Sequence, residues 1–288
     1  MNLDINNPRS FYLSKEENQR VFEREIVPVL KKDFDFSKSK NPTVYLTAGL
    51  PGAGKSALAI YMLEETKNSR TFIANSDEMR PFHPYFKEAV EMFGSDAGAA
   101  LHRDASIFSE KSIAYAQEQK ANFIVEGTMR DSKKAKELIL SLKANNYTIK
   151  VIAIAVNKYE SLHGIFNRYL KQYEDSPVTA RFVEPKFIEI GASKILESVE
   201  MLYNENIDEL KVFDRDYTVL YDSNKEYNKS PASIIEKAVN IQNWSRQKLD
   251  RLKDIWKELI ESLQEANVPN DILQKAKSIS SELEGYYL

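Results

Sequence analysis

Eight residues constrain this chain more than any others: Gly49-Leu50-Pro51-Gly52-Ala53-Gly54-Lys55-Ser56, which fit G-x-x-x-x-G-K-[ST]. The run before them, TVYLTA from Thr43, is β-branched and aromatic and has strand character. After them Leu58, Ile60, Met62 and Leu63 lie among Ala57 and Ala59, a composition that favours helix. Strand, glycine loop and helix follow in the order a phosphate-binding loop requires. Gly49, Gly52 and Gly54, with Ala53 between them, let the backbone wrap a phosphate with its N–H groups inward. The helix start adds its free N–H groups and positive dipole end. Lys55 would reach the β- and γ-phosphates of a nucleoside triphosphate, and the Ser56 hydroxyl would ligate Mg²⁺. A glycine-rich turn that binds nothing needs neither the lysine nor the serine.

Bulk properties narrow the remaining options. A chain of 288 residues with 42% hydrophobic and 11% aromatic residues can bury a substantial core. A formal net charge of −3 gives no reason to expect nucleic acid as the main partner. The absence of cysteine removes disulfides, thiolate metal sites and cysteine nucleophiles together. The longest uninterrupted apolar run, Val151 to Val156, is far short of a membrane span, and the polar N-terminus has no apolar signal core. The expected location is cytoplasmic.

Along the chain, Ser14 with Glu17 three residues on reads as the capped start of a helix, in which Pro28 predicts a kink. Strands are expected at Arg70 to Asn75, Asn122 to Val125 and Thr148 to Val156, separated by helical stretches, with Ser132 as the cap of the helix that runs to about Ala144. Two late strands are expected at Leu210 to Asp214 and Thr218 to Asp222. Alternation of β and α predicts an α/β fold, a P-loop NTPase-like parallel sheet covered by helices on both faces. Beyond about Ser230 only helix remains. Leucine and tryptophan at helical spacing on either side of Asn267-Val268-Pro269-Asn270 predict a C-terminal helical hairpin. The expected division is an N-terminal helical segment, 1–40, a P-loop core, 41–228, which the resemblance described below makes a kinase core, and a C-terminal helical extension, 229–288.

Ligands of such sheets sit at the carboxyl ends of strands, which places Asp77 near the phosphates. The third strand ends in Glu126-Gly127-Thr128, where many phosphate-loop proteins carry a Mg²⁺-directed aspartate. On residue type alone the alternatives stay open: Asp77 as a helix cap, Glu126 paired with Arg130, Glu110 on a solvated helix face, Arg168 and Arg181 as surface cations. His83, His102 and His163 show no ligand spacing and read as surface or core residues. The aromatic segment Phe82 to Phe86 reads as packing in preference to base stacking.

In six blocks the sequence resembles the zeta toxin family, the kinase halves of bacterial toxin–antitoxin pairs. The blocks are the phosphate loop, the NSDEMR…HPYF segment, Glu110 sixteen residues before Glu126, the strand end VEGTMR, Arg168, and SPVTAR ending at Arg181. The resemblance spans about residues 40 to 225. It implies a kinase that moves the γ-phosphate of ATP to the sugar 3′-hydroxyl of UDP-N-acetylglucosamine, so that cell-wall synthesis is starved. It further implies Asp77 as proton acceptor, Lys55 and Ser56 on the phosphates and Mg²⁺, Arg168 and Arg181 on the moving phosphoryl group, and Glu110, Glu126, Thr128 and Arg130 on the UDP-sugar. A small helical antitoxin that blocks the ATP site is the implied partner. A kinase for another hydroxyl compound, and an ATP-dependent binding switch without phosphotransfer, are the competing functions.

Overall fold

The computed structural model describes residues 7–94, 97–129, 131–177, 180–226 and 228–286. Six strands form one mostly parallel sheet in the order β2-β3-β1-β4-β5-β6. They are β1 (Thr43–Ala48), β2 (Phe72–Ala74), β3 (Phe123–Val125), β4 (Thr148–Ile154), β5 (Glu209–Phe213) and β6 (Val219–Asp222). β3 runs parallel to both neighbours, with Phe123 opposite Val44 on one side and Phe72 on the other. The two late strands, for which the sequence reading gave no direction, form one edge, where β5 and β6 pair antiparallel. Only residues 214–218 join them, too few for the crossover that a parallel pair needs. The eleven α-helices of the described residues are α1 (Lys15–Val21), α2 (Val27–Asp33), α3 (Lys55–Thr66), α4 (Phe86–Phe93), α5 (Ala97–Gln119), α6 (Ser132–Ala144), α7 (Lys158–Asp175), α8 (Lys186–Asn204), α9 (Pro231–Val239), α10 (Arg246–Glu265) and α11 (Asn270–Glu284).

The chain divides into two compact units. The first comprises Met1–Thr47, Ser56–Gly127 and Leu138–Lys150. Its entry is set by Ser14, whose hydroxyl accepts from the Glu17 N–H while the Glu17 carboxylate accepts from the Ser14 N–H, a capping box. Pro28 follows a π-helical turn, Phe22–Ile26, in which the Val27 N–H reaches back to the Phe22 carbonyl. Proline lacks an N–H and its ring crowds the carbonyl four residues back, and the wider turn accommodates both. At the middle of the unit lies Asp104, 1% exposed. Its carboxylate accepts from the Leu13 N–H (3.2 Å) and the Asn18 amide (3.1 Å), and His83 Nε2 stands 3.8 Å away. Burial pushes the Asp104 pKa up, but the nearby His83 imidazole and hydrogen bonds from Leu13 and Asn18 outweigh it, and the net shift is downward. His83 is thus a core residue. Tyr85 and Phe86 pack on Phe11, Ala89 and Leu101, as the packing reading of that segment expects.

The second unit comprises Ala48–Lys55, Thr128–Glu137 and Val151–Leu288. α7 begins with another capping box, Asn157 with Glu160, and is covered by the C-terminal hairpin of α10 and α11. Trp256, fully buried, meets His163 and Phe166 edge-on (centroids 5.7 Å each) and donates from its indole N–H to the Tyr159 carbonyl (3.2 Å). Glu282 of α11 accepts from Lys158 Nζ and the Tyr159 hydroxyl, both at 2.7 Å. At the start of α6 the expected cap moves by one residue. Asp131 Oδ1 accepts from the Lys134 N–H, while the Ser132 hydroxyl donates to Glu197. A carboxylate is the stronger acceptor and is favoured by the helix dipole.

Candidate active site

In the first unit a run of hydrogen bonds joins the residues at the strand ends. The Glu126 N–H donates to the Ala74 carbonyl (2.9 Å), extending the β2–β3 ladder by one residue and setting the carboxylate just beyond it. Glu126 Oε1 accepts from the Ser56 hydroxyl (2.9 Å) and Oε2 from the Asn75 amide (3.1 Å). The Asn75 carbonyl oxygen accepts from the Asp77 N–H (2.9 Å), and the Asp77 carboxylate accepts from Arg80 Nη2. The sequence Ser56, Glu126, Asn75, Asp77, Arg80 is therefore one connected chain of polar contacts.

Burial differs along that chain. The Arg80 side chain is 9% exposed, fixed in a 3₁₀ turn behind Pro81, whereas the Asp77 side chain is 44% exposed. A buried guanidinium holding a solvent-facing carboxylate orients it while leaving it reachable. Asn75 holds the turn that carries Asp77, its side chain accepting the Asp77 N–H. Gly127 is held by Thr47, whose hydroxyl accepts from the Gly127 N–H (2.9 Å) and lies 3.1 Å from its carbonyl oxygen. Glu110 lies on the exposed face of α5.

In the second unit the glycine loop is locked by close backbone packing. Gly52 (φ 73°) and Gly54 (φ 96°) occupy the left-handed region that side chains disfavour. A Cβ on Gly52 would stand 2.3 Å from the Ser161 carbonyl oxygen, and one on Gly164 would stand 2.1 Å from the Gly52 oxygen. α7 and the loop thus touch main chain to main chain. The Ser161 hydroxyl donates to the Pro51 carbonyl and Arg215 Nη1 to the Gly52 carbonyl, both at 2.6 Å. Lys55 Nζ donates to the carbonyls of Leu50 (2.8 Å) and Gly49 (3.2 Å), which holds the ammonium over the loop. Arg168 is half-buried on α7. Arg181 is likewise half-buried, with its N–H donating to Gln172 Oε1 (2.9 Å). Thr128 is half-buried, Met129 beside it has φ 50°, and Arg130 lies outside the described residues.

The donors of each unit, taken by themselves, suit a different part of a magnesium nucleotide. Ser56 gives its proton to Glu126 and keeps its oxygen lone pairs for a hard cation, and the loop supplies N–H groups and an ammonium for phosphate oxygens. Four residues escaped sequence reasoning. Asn75 and Arg80 sat inside the quoted NSDEMR block, and Gly164 was an isolated glycine in a helical pattern, a recognised sign of close packing. Arg215 carried no local signal at all.

The sequence model of the zeta toxin family matches residues 28–226, most of the chain. The chain belongs to the zeta toxin family. Within it, Toxin zeta of Streptococcus pyogenes is 28% identical over 202 residues, 70% of each protein. Among solved structures, a chain from the PezAT chromosomal toxin–antitoxin system of Streptococcus pneumoniae superposes with a TM-score of 0.74 at 21% identity, covering 92% of this chain and all of that one. The AvrRxo1-ORF1:-ORF2 structure with ATP superposes with a TM-score of 0.56 at 13% identity, covering 97% of this chain and 87% of that one. The zeta toxin fold is kinase-like, and the matched segment holds the glycine loop, the acidic strand ends and the β5–β6 turn but ends before the hairpin. Among the described residues no helix is long and apolar enough to cross a membrane.

Proposed function

We propose that this chain is the kinase toxin of a toxin–antitoxin pair, transferring the γ-phosphate of ATP to the 3′-hydroxyl of the sugar of UDP-N-acetylglucosamine in the cytoplasm. The observation that carries the reading is the polar run from Ser56 through Glu126 and Asn75 to Asp77, which links the metal-binding end of the phosphate loop to a solvent-facing carboxylate. Asp77 accepts the proton of the sugar hydroxyl as its oxygen forms a bond to the γ-phosphorus, and the bond to the β–γ bridging oxygen breaks to release ADP. A sugar hydroxyl is a weak nucleophile at neutral pH, and a positioned carboxylate contributes roughly 10²–10⁴ in rate. Arg80 keeps Asp77 in place. Lys55 and the loop N–H groups hold the β- and γ-phosphates; Ser56 would hold Mg²⁺, which would supply positive charge against them.

Arg168 and Arg181 serve the transferred phosphoryl group, whose loose transition state spreads charge over its equatorial oxygens. Glu110, Glu126, Thr128 and Arg130 take the UDP-sugar. The ATP in the AvrRxo1-ORF1 structure and the antitoxin partnership of PezAT support the nucleotide and the partner by likeness. A small helical antitoxin would silence the chain by covering the ATP site. Wild type and Asp77→Asn incubated with Mg²⁺-ATP and UDP-N-acetylglucosamine decide the matter by mass spectrometry. The expected result is a singly phosphorylated sugar nucleotide from the wild type and at least a hundredfold less from the variant. ATP binding without any product would discard this acceptor, and an unchanged Asp77→Asn would discard the base.

A further inference from the structure

The turn between β5 and β6 brings two side chains onto the glycine loop that no part of the phosphate-loop motif accounts for. Arg215 Nη1 donates to the Gly52 carbonyl (2.6 Å), and a Cβ built on Gly54 would stand 3.1 Å from the Tyr217 hydroxyl and 3.4 Å from Arg215 Nη1. Tyr217 is 45% exposed, one of five large hydrophobic side chains left so among the described residues. Its φ of 62° is uncommon for a bulky residue. The turn maintains it with Asp214, whose carboxylate accepts from the Asp216 N–H (3.0 Å) and the Thr218 N–H (2.8 Å) and whose carbonyl accepts from the Tyr217 N–H (3.2 Å). Arg251 of α10 pairs with Asp216 at 3.5 Å. An aromatic side chain open to solvent, on a turn held by these bonds and with its hydroxyl close to Gly54 of the loop where a triphosphate would thread, is suited to a nucleobase.

We propose that this turn is the nucleoside-recognition element of the chain: Tyr217 takes the base of the bound nucleoside triphosphate, and Arg215 clamps the loop beneath its phosphates. The proposal rests on the nucleotide-binding part of the function argued above. Base and phosphate contributions separate when ATP is compared with inorganic tripolyphosphate, both with Mg²⁺, by titration calorimetry on the full chain. Tyr217→Asn suits the left-handed backbone and removes the ring. It should weaken ATP about tenfold, as loss of one base–aromatic stack does, and leave tripolyphosphate within twofold. Tyr217→Phe should bind both ligands like the wild type. Arg215→Ala should weaken both together.

Wild-type affinity for ATP by Tyr217→Asn, or an equal loss of both ligands, overturns the assignment of the base. So does a wild type that binds tripolyphosphate as tightly as ATP. A wild type that binds neither ligand overturns the nucleotide reading itself, a result distinct from the other three.

Discussion

The two halves of the candidate machinery are held in opposite ways. In the first unit the carboxylates of Glu126 and Asp77 are positioned by side chains, Ser56, Asn75 and Arg80, each through one or two hydrogen bonds and partly in solvent. In the second unit the glycine loop is positioned by main chain against main chain, with Gly52 and Gly164 so close that neither has room for a methyl group. A net hydrogen bond is worth about 1 kcal/mol and can be replaced, whereas backbone packed so closely that an added Cβ would fall within 3 Å of it admits no substitute. The acidic half should therefore tolerate change in stability and lose chemistry, and the loop half should lose both together.

The sharpest test of that contrast is Gly164→Ala. It should destabilise the chain by about 3 kcal/mol and abolish measurable ATP binding, seen by thermal melting and calorimetry. Normal ATP affinity in this variant would break the comparison. Next in size, Glu126→Gln keeps the shape of the carboxylate but not its charge beside Ser56. It should raise the Mg²⁺ needed for half-maximal turnover by about 10–100-fold and leave the melting temperature nearly unchanged. A large stability loss there would place Glu126 with the loop half.

A smaller effect is expected from His163 of α7, whose ring meets Trp256 edge-on. Burial, and then the nearby Arg215 charge, lower its pKa to about 4 from an ordinary 6.5. The unfolded chain binds the proton first as pH falls, so the contribution of this residue to stability is complete above about pH 6.5 and is lost progressively down to about pH 4, by about 1–3 kcal/mol. His163→Gln should flatten that part of a denaturation-versus-pH profile. Smallest of all, Ser161→Ala removes one hydrogen bond to Pro51 and should cost about 1 kcal/mol in denaturant melts, with ATP binding weakened only a few-fold. A loss as large as that of Gly164→Ala would mean that the hydroxyl, and not the backbone contact, holds the loop.

Most of the fold was legible because its signals are local. Alternating apolar segments announced the sheet, the capping box at Ser14 announced the first helix, and the tryptophan and leucine spacing announced the hairpin. The antiparallel edge was not announced, since strand direction depends on the length of a connection whose ends could be placed only approximately. Ser132 and Asp131 compete as caps one residue apart, and sequence alone gave no reason to prefer the carboxylate. At the site, Asp77 and Glu126 stand at strand ends where topology puts ligands, but their partners Asn75 and Arg80 look like ordinary turn and surface residues. Arg215 meets Gly52 from 163 positions away along the chain, a distance no pattern spans.

The burial of Trp256 against α7 changes how the last sixty or so residues should be regarded. They fall outside the family segment and touch no residue of the glycine loop in any contact described above, yet they brace the helix on which that loop rests. A substitution in the hairpin can thus reach the glycine loop through α7 while every residue of the loop motif stays fixed. A comparison confined to the motif would miss that support.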